Sequence, residues 1–237
     1  DRVGASNTWS SISAGGDFSL GLRNDGTLWA WGLNSYGQLG DGTTTTRSSP
    51  VQIGAATDWM SVKASASHSL ALKTDGTLWT WGYNNNGQLG NLSTANSSSP
   101  AQIPGSWSFI TAGGTTSLAI KTDSSLWVWG NNSDGQCGDA TLTNKTSPVM
   151  LASGVATATA GDGHVMFITT AGYLKGLGYN GWGNLGDGTA IVNRTSPIQI
   201  GSLSNWTSLA ASANHTLALK NDGSMWTWGK NINGQRG

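Results

Sequence analysis

Disulfides, net charge and long apolar runs are what this chain does without. One cysteine in 237 residues, Cys137, has no partner for an internal disulfide, which excludes a cystine framework. Charged residues make up 10% of the chain, against roughly 25% in an average soluble protein. The two signs balance at 12 each, so no field gathers nucleic acid or anionic lipid, and nucleic-acid binding is not expected. No stretch approaches the ~18 apolar residues of a membrane-crossing helix, so membrane insertion is not expected either. The surface is left to Ser, Thr and Asn, which crowd 41–49, 91–99 and 141–147. A neutral, hydroxyl-rich, Lys-poor surface fits an extracellular or cell-surface location. The start at Asp1, without Met, fits a processed chain whose signal sequence has been removed.

Glycine and tryptophan are abundant, and both recur at fixed intervals. Ser69-Leu70-Ala71-Leu72-Lys73-Thr74-Asp75-Gly76-Thr77-Leu78-Trp79-Thr80-Trp81-Gly82 is the clearest copy of a sentence written five times. Its closing glycines stand at 32, 82, 130, 178 and 229. A period of this length marks a solenoid, a propeller or an array. Of the 13 tryptophans, twelve fall into three columns: Trp9, Trp59, Trp107 and Trp206; Trp29, Trp79, Trp127 and Trp226; Trp31, Trp81, Trp129 and Trp228. A buried indole removes roughly 150–250 Å² from water, worth about 4–6 kcal/mol gross. These twelve are expected to form the core between repeats; the other reading, a sugar-stacking platform, needs one column to face solvent.

Within a repeat the apolar residues alternate with period two, a strand signal. Asp75-Gly76 between two such runs predicts a two-residue type I′ hairpin with Leu72 opposite Trp79 and Leu70 opposite Trp81. That register puts those four on one face and Ala71, Leu78 and Thr80 on the other. Asn84-Asn85-Asn86-Gly87-Gln88-Leu89-Gly90 follows, a loop in which Gly and Asn both tolerate left-handed backbone. Two more strand-like stretches, Ala101-Gln102-Ile103 and Ser106–Ile110, complete four strands. Both faces carry apolar or small residues, as in a propeller blade covered by its neighbours. The expectation is an all-β propeller of about five four-stranded blades in one domain over 1–237. Its repeats run approximately over 8–57, 58–105, 106–154, 155–204 and 205–237 plus 1–5.

Read in order, His68-Ser69-Leu70-Ala71-Leu72, Asp75-Gly76, Trp81-Gly82 and Gly87-Gln88-Leu89-Gly90 resemble the repeat of the regulator of chromosome condensation family, over essentially the whole chain. The resemblance implies a β-propeller, usually of seven blades; five motifs are present here. Family members include a guanine-nucleotide exchange factor, a plant ultraviolet photoreceptor and a secreted bacterial β-lactamase inhibitor. No repeat here carries the long insertion of the exchange factor. Nor do Arg2, Arg23, Arg47, Arg194 and Arg236 frame the tryptophan columns, as arginines do in the photoreceptor. Neither activity is expected to transfer.

The last repeat stops before its outer strand, and Asp1-Arg2-Val3-Gly4 reads like that strand. It can close the ring in one chain, complete a neighbour's blade and so build a filament, or belong to a slice of a longer array. His68, His164 and His215 share a column in which Phe18 and Thr116 interrupt any ring of metal ligands; each is expected to cap backbone groups. Asp25, Asp75, Asp123 and Asp222 sit in hairpin tips, and no calcium loop, nucleophile elbow or phosphate loop is present. Cys137 reads as a small buried apolar residue. No catalytic residue, metal or cofactor is expected. The fourth repeat departs from the rest, with Lys175 and Leu177 for two tryptophans and Ala156 or its neighbour for a third. It also holds Trp182, which either folds over the vacated space or, with Tyr179, anchors a partner on the loop face.

These readings lead to a non-enzymatic structural or adhesive module, extracellular and able to self-associate into a homopolymer. A secreted protein-binding propeller using its loop face is the alternative. A lectin that takes a glycan is third, and exchange-factor activity last.

Overall fold

In the computed structural model, which describes residues 8–237, every regular element among the described residues is a strand. Blade 1 is β1 (Trp9–Ala14), β2 (Phe18–Arg23), β3 (Leu28–Gly32) and β4 (Arg47–Gln52). Blade 2 is β5 (Trp59–Ala64), β6 (His68–Lys73), β7 (Leu78–Gly82) and β8 (Ser97–Ile103). Blade 3 is β9 (Trp107–Gly113), β10 (Thr116–Lys121), β11 (Leu126–Gly130) and β12 (Lys145–Ala152). Blade 4 is β13 (Val155–Ala160), β14 (His164–Thr169), β15 (Leu174–Gly178) and β16 (Arg194–Gln199). Blade 5 has three strands, β17 (Trp206–Ala211), β18 (His215–Lys220) and β19 (Met225–Gly229). Each sheet is an antiparallel meander in chain order. Asp1, Arg2, Val3 and Gly4, expected to supply a closing strand, lie outside the described residues.

The hairpin register differs by one from the sequence expectation. Leu72 pairs with Leu78, Ala71 with Trp79, Leu70 with Thr80 and Ser69 with Trp81. The turn is the cause. Gly76 N–H donates to the Lys73 carbonyl and Lys73 N–H to that of Thr77, which makes a three-residue loop of Thr74, Asp75 and Gly76. Only Gly76 is left-handed, with φ of 80°; a type I′ turn would have required Asp75 to be so as well. Because side chains alternate with period two, one residue of slip exchanges the faces. Leu70, Leu72, Leu78 and Thr80 therefore share one face, and Ser69, Ala71, Trp79 and Trp81 the other.

A bulge in the first strand brings the remaining tryptophan column to the second face. Between Trp59 and Ser61 the pairing skips a residue, so Trp59 pairs with Lys73 and Val62 with Ala71. All five blades repeat this irregularity at the same place. Each blade thus has a leucine face and a tryptophan face, and blades stack one way round. Leu20, Leu22 and Leu28 of blade 1 pack on Trp59, Val62 and Trp81 of blade 2. Leu70, Leu72 and Leu78 pack on Trp107, Ile110 and Trp129. The pattern continues from blade 3 to blade 4 and from blade 4 to blade 5.

The first strands lie side by side around an axis, and the turns after them line an axial opening of about 390 Å³. Small residues are obligatory there: a Cβ on Gly113 would lie 2.3 Å from the Ala160 carbonyl oxygen. Hydroxyls bridge the blades near the axis, Ala64 N–H donating to Ser13 Oγ at 2.9 Å and Ala211 N–H to Thr159 Oγ1 at 3.1 Å.

Candidate protein-interaction surfaces

The third tryptophan column joins each blade to the one before it. Trp81 Nε1 donates to the main-chain carbonyl of Gln38 at 2.9 Å, Trp129 Nε1 to that of Gln88 at 2.9 Å, and Trp228 Nε1 to that of Asn184 at 2.8 Å. The same three carbonyls accept a second bond, from Ser69, Ser117 and Thr216. Ser117 spends its one proton on Gln88, so His68 Nε2, 2.8 Å away, must donate to it. His164 Nε2 stands in the same relation to Thr216 at 2.9 Å. The two histidines therefore latch consecutive blades through side-chain hydroxyls, where capping of backbone groups was expected. Burial pushes His68 down to about 3 and His164 to about 4, so both rings are neutral. Blade 3 has Thr116 in this column, and blade 4 offers it Val165, which has no hydroxyl.

The middle column is held by a relay the sequence did not disclose. Trp79 Nε1 donates to Thr77 Oγ1, which donates to Asp75 Oδ1 at 2.7 Å. Blades 1, 3 and 5 repeat it through Thr27 and Asp25, Ser125 and Asp123, and Ser224 and Asp222. Blade 4 loses all three members together, with Ala171, Tyr173 and Lys175 in their places. A cation covers the same tryptophans. Arg23 lies 3.7 Å from the Trp29 ring centre, Lys121 3.8 Å from Trp127 and Lys220 3.9 Å from Trp226. The expectation that no arginine borders the columns is thereby corrected for Arg23, which also stands 5.0 Å from Trp9. Arg23, Lys73, Lys121 and Lys220 all stand two residues before the hairpin aspartate, and that fixed spacing was the available signal.

The twelve columnar tryptophans are not equally buried. Trp81, Trp107 and Trp129 are fully enclosed, and Trp59 and Trp206 are buried. Trp9, Trp29, Trp31, Trp79, Trp127 and Trp228 are half-buried. Trp226 is 50% exposed, which corrects its assignment to the core. Blade 4 fills the space of its missing indoles with Phe167, fully buried where the other blades have Gly or Ala. Trp182 therefore does not repack that space. It is 47% exposed on the loop face, with Lys230 of blade 5 at 5.2 Å from its ring, and Tyr179 nearby is half-buried. Tyr36, in the Trp182 column, lies against Tyr83 of blade 2 in a tilted pair, with ring centres 4.8 Å apart and planes at 55°, a surface contact the sequence reading missed.

Positions that are buried at the internal junctions are exposed at the two flanks. Ile12 on the tryptophan face of blade 1 is 77% exposed, whereas Val62 at the same position of blade 2 is 3% exposed. Met225 on the leucine face of blade 5 is 66% exposed, against 0% for Leu78. Leu219 is exposed as well, while its counterparts Leu72, Ile120 and Ile168 are buried. An apolar groove of about 290 Å³ runs along Trp9, Ile12, Ala14 and Trp31. A second, of about 180 Å³, runs along Leu209, Leu217, Leu219 and Met225. Among the described residues, nothing covers either face as the neighbouring blade covers the corresponding faces inside.

Among the described residues no three His, Cys, Asp or Glu side chains gather as metal ligands. Burial pushes the Cys137 thiol up to about 12. Burial alone would raise Asp187, but hydrogen bonds from Thr189 and Arg194 hold it at about 2 as part of a loop brace.

The whole of 1–237 matches the family described as the RCC1-like domain. The crystal structure of human WBSCR16 is similar at a TM-score of 0.86 and 26% identity, covering 97% of this chain and 63% of that one. Prp20p from Saccharomyces cerevisiae, described with its binding properties to Gsp1p and histones, is similar at a TM-score of 0.84 and 23% identity, covering 94% of this chain and 57% of that one. Yeast RCC1 (Prp20) bound to Kap60 gives a TM-score of 0.83 at 22% identity, covering 94% of this chain and 56% of that one. The chain thus spans 56–63% of the length of these structures. No curated protein sequence shows a significant match. Five blades with one-way leucine-on-tryptophan packing, and a family match from end to end, place the chain in the RCC1-like domain family.

Proposed function

We propose that the chain is a non-catalytic protein-interaction propeller module whose two flank faces are assembly interfaces, taken by further blades of the same polypeptide or by a partner. One observation carries this reading: among the described residues, positions buried at every internal junction are exposed on the outer faces of blades 1 and 5. Contiguous apolar faces of this kind mark interaction sites. The non-catalytic part rests on the site chemistry, since the histidines are locked neutral between blades and the thiol is buried and protonated. The neutral, Lys-poor surface supports display outside the cell as a structural or adhesive module. The partners named for the yeast relatives, Kap60, Gsp1p and histones, support protein binding as the use of this fold, without naming the partner of this chain.

A homopolymer is the second reading, favoured because the free leucine face and the free tryptophan face are the two halves of an interface built four times within the chain. Stacking by that interface has a geometric limit. In a family ring of seven, five blades leave two positions, and the third blade of an incoming copy would fall on blade 1. The flanks therefore fit two further blades, of the same polypeptide or of a partner, better than an endless filament.

The test is binding of an apolar dye together with light scattering, on the wild type, Ile12→Lys and Met225→Lys. The wild type should bind dye, each variant should lose a large part of the signal, and thermal midpoints should stay unchanged. Absence of dye binding by the wild type would remove the proposal. Self-association that survives both substitutions would point instead to exchange of the terminal strand.

A further inference from the structure

We propose that a cleft on the outer rim between blades 1 and 2 binds a neutral pyranose sugar, with the Trp79 indole as its stacking wall. The cleft has a volume of about 430 Å³, room for one or two sugar rings. Trp59, Trp79 and Lys73 form one side, and Gln52, Gly54 and Ser99 lie around the mouth. Glycine keeps it open. A Cβ on Gly54 would meet nothing within 4 Å, and one on Gly42 only Ser99 Oγ, at 3.8 Å. At the next junction the matching positions carry the larger Leu92 and Pro104.

The wall differs from its counterparts in the other blades. The cation at the end of the second strand lies 3.7–3.9 Å from the middle tryptophan in blades 1, 3 and 5. In blade 2, Asp58 draws Lys73 Nζ to 3.1 Å, which leaves it 5.1 Å from the Trp79 ring centre and 5.0 Å from that of Trp59. Asp58 stands where the other blades have Thr8, Ser106, Gly154 and Asn205. The Trp79 ring is held in place, since its Nε1 is already spent on Thr77 at 3.0 Å. Lys73 still lies over the Trp79 ring, at 5.1 Å against 3.7–3.9 Å for the cations of blades 1, 3 and 5, and this looser cover opens more of the indole surface to a ligand.

The charges around the cleft select against an ionic ligand. Lys73 is paired with Asp58, and Asp41 with Arg47 at 2.6 Å. A charged molecule would have to break one of these pairs, whereas a neutral polyol leaves both intact. Gln52 donates its amide to the Gly54 carbonyl at 3.2 Å, which turns its own oxygen into the available acceptor. The exposed Ser99 hydroxyl can donate or accept. An indole wall with a donor and an acceptor at its edge matches a pyranose, which offers a C–H face and a rim of hydroxyls. This inference is independent of the flank reading, and each can fail without the other.

The test is a titration with cellobiose followed by tryptophan fluorescence and by saturation-transfer NMR. Saturable binding in the millimolar range is expected, and Trp79→Ala should weaken it by roughly tenfold. Gly42→Leu copies Leu92, which occupies the same left-handed position at φ of 63°. It should narrow the cleft and weaken binding by about as much while the thermal midpoint is retained. Glucuronic acid should bind more weakly than cellobiose. No saturable binding by the wild type, or binding untouched by Gly42→Leu, would overturn the proposal.

Discussion

Single residues in this chain act as hubs, and their roles divide into those visible in the sequence and those set by the fold. Asn84 is fully buried: its side-chain oxygen accepts from Leu89 N–H at 2.9 Å, and its amide donates to the carbonyls of Ser93 and Ala95. The sequence suggested only that asparagines here tolerate left-handed backbone, yet Gly87 and Gly90 take that conformation and the asparagines do not. Asn84→Ala should cost roughly 3 kcal/mol in urea unfolding, because several buried backbone groups lose their partner. At the hairpin tips Gly26, Gly76, Gly172 and Gly223 are left-handed, and blade 3 holds Ser124 there with φ of 64°. Ser124→Gly should therefore stabilise the protein by about 1 kcal/mol in the same assay. His68 and His164 give a pH dependence. In the unfolded chain they titrate near 6.5, and in the folded one near 3 and 4. Their stabilisation is complete above about pH 6.5 and is lost as pH falls toward those folded values, by up to roughly 1.4 kcal/mol per pH unit for each ring. Denaturation midpoints from pH 7.5 to 4.5 should fall accordingly, and His68→Phe, which copies Phe18, should shallow the slope by about half. A histidine column was legible in the sequence; that each ring faces a hydroxyl some fifty residues further on was not, since only the stacking of blades brings them together.

At the scale of the element, periodicity identified the strands, and turn chemistry decided which face each residue occupies. Asp-Gly is shared by two-residue and three-residue hairpins, and the choice between them inverts the faces. The sequence does hold a clue, because leucines at 70, 72 and 78 form a uniform face only in the register that a three-residue loop produces. Deleting Thr74 would force the shorter loop and rotate β7 by one residue, carrying Leu78 off the leucine face. Its expected effect is loss of cooperative unfolding by circular dichroism; a variant that folds with native stability would contradict the assigned register. The first-strand bulge was hidden for a different reason. Trp59 and Val62 are three apart, a spacing that places both on one face only once a residue is looped out, and alternation alone cannot report that. In blade 4 the changes at 155, 167, 175 and 177 compensate one another, with Phe167 taking the volume that its siblings leave to indoles.

At the scale of the whole molecule, the five described blades form an arc with a direction, since each leucine face meets the tryptophan face of the next. The repeat and the family motif made the propeller legible from sequence. Whether the arc meets its own beginning was not, because identical blades can be set at different angles and that angle depends on packing across every junction. The open flanks make substitution effects depend on the blade rather than on the residue type. Ile12→Lys and Met225→Lys should change stability by less than about 0.5 kcal/mol. Val62→Lys and Leu78→Lys place an unpaired charge in a closed junction and should cost more than about 4 kcal/mol, enough to abolish soluble expression. The most direct test of the open arc is thiol labelling of dilute protein in which Cys137 is replaced by Ala and one cysteine is introduced at Ile12, Val62, Met225 or Leu78. Ile12→Cys and Met225→Cys should react at the rate of a free peptide thiol, and Val62→Cys and Leu78→Cys only after unfolding. Protection of Ile12→Cys and Met225→Cys in the monomer would mean that blade 5 meets blade 1, and would contradict the account.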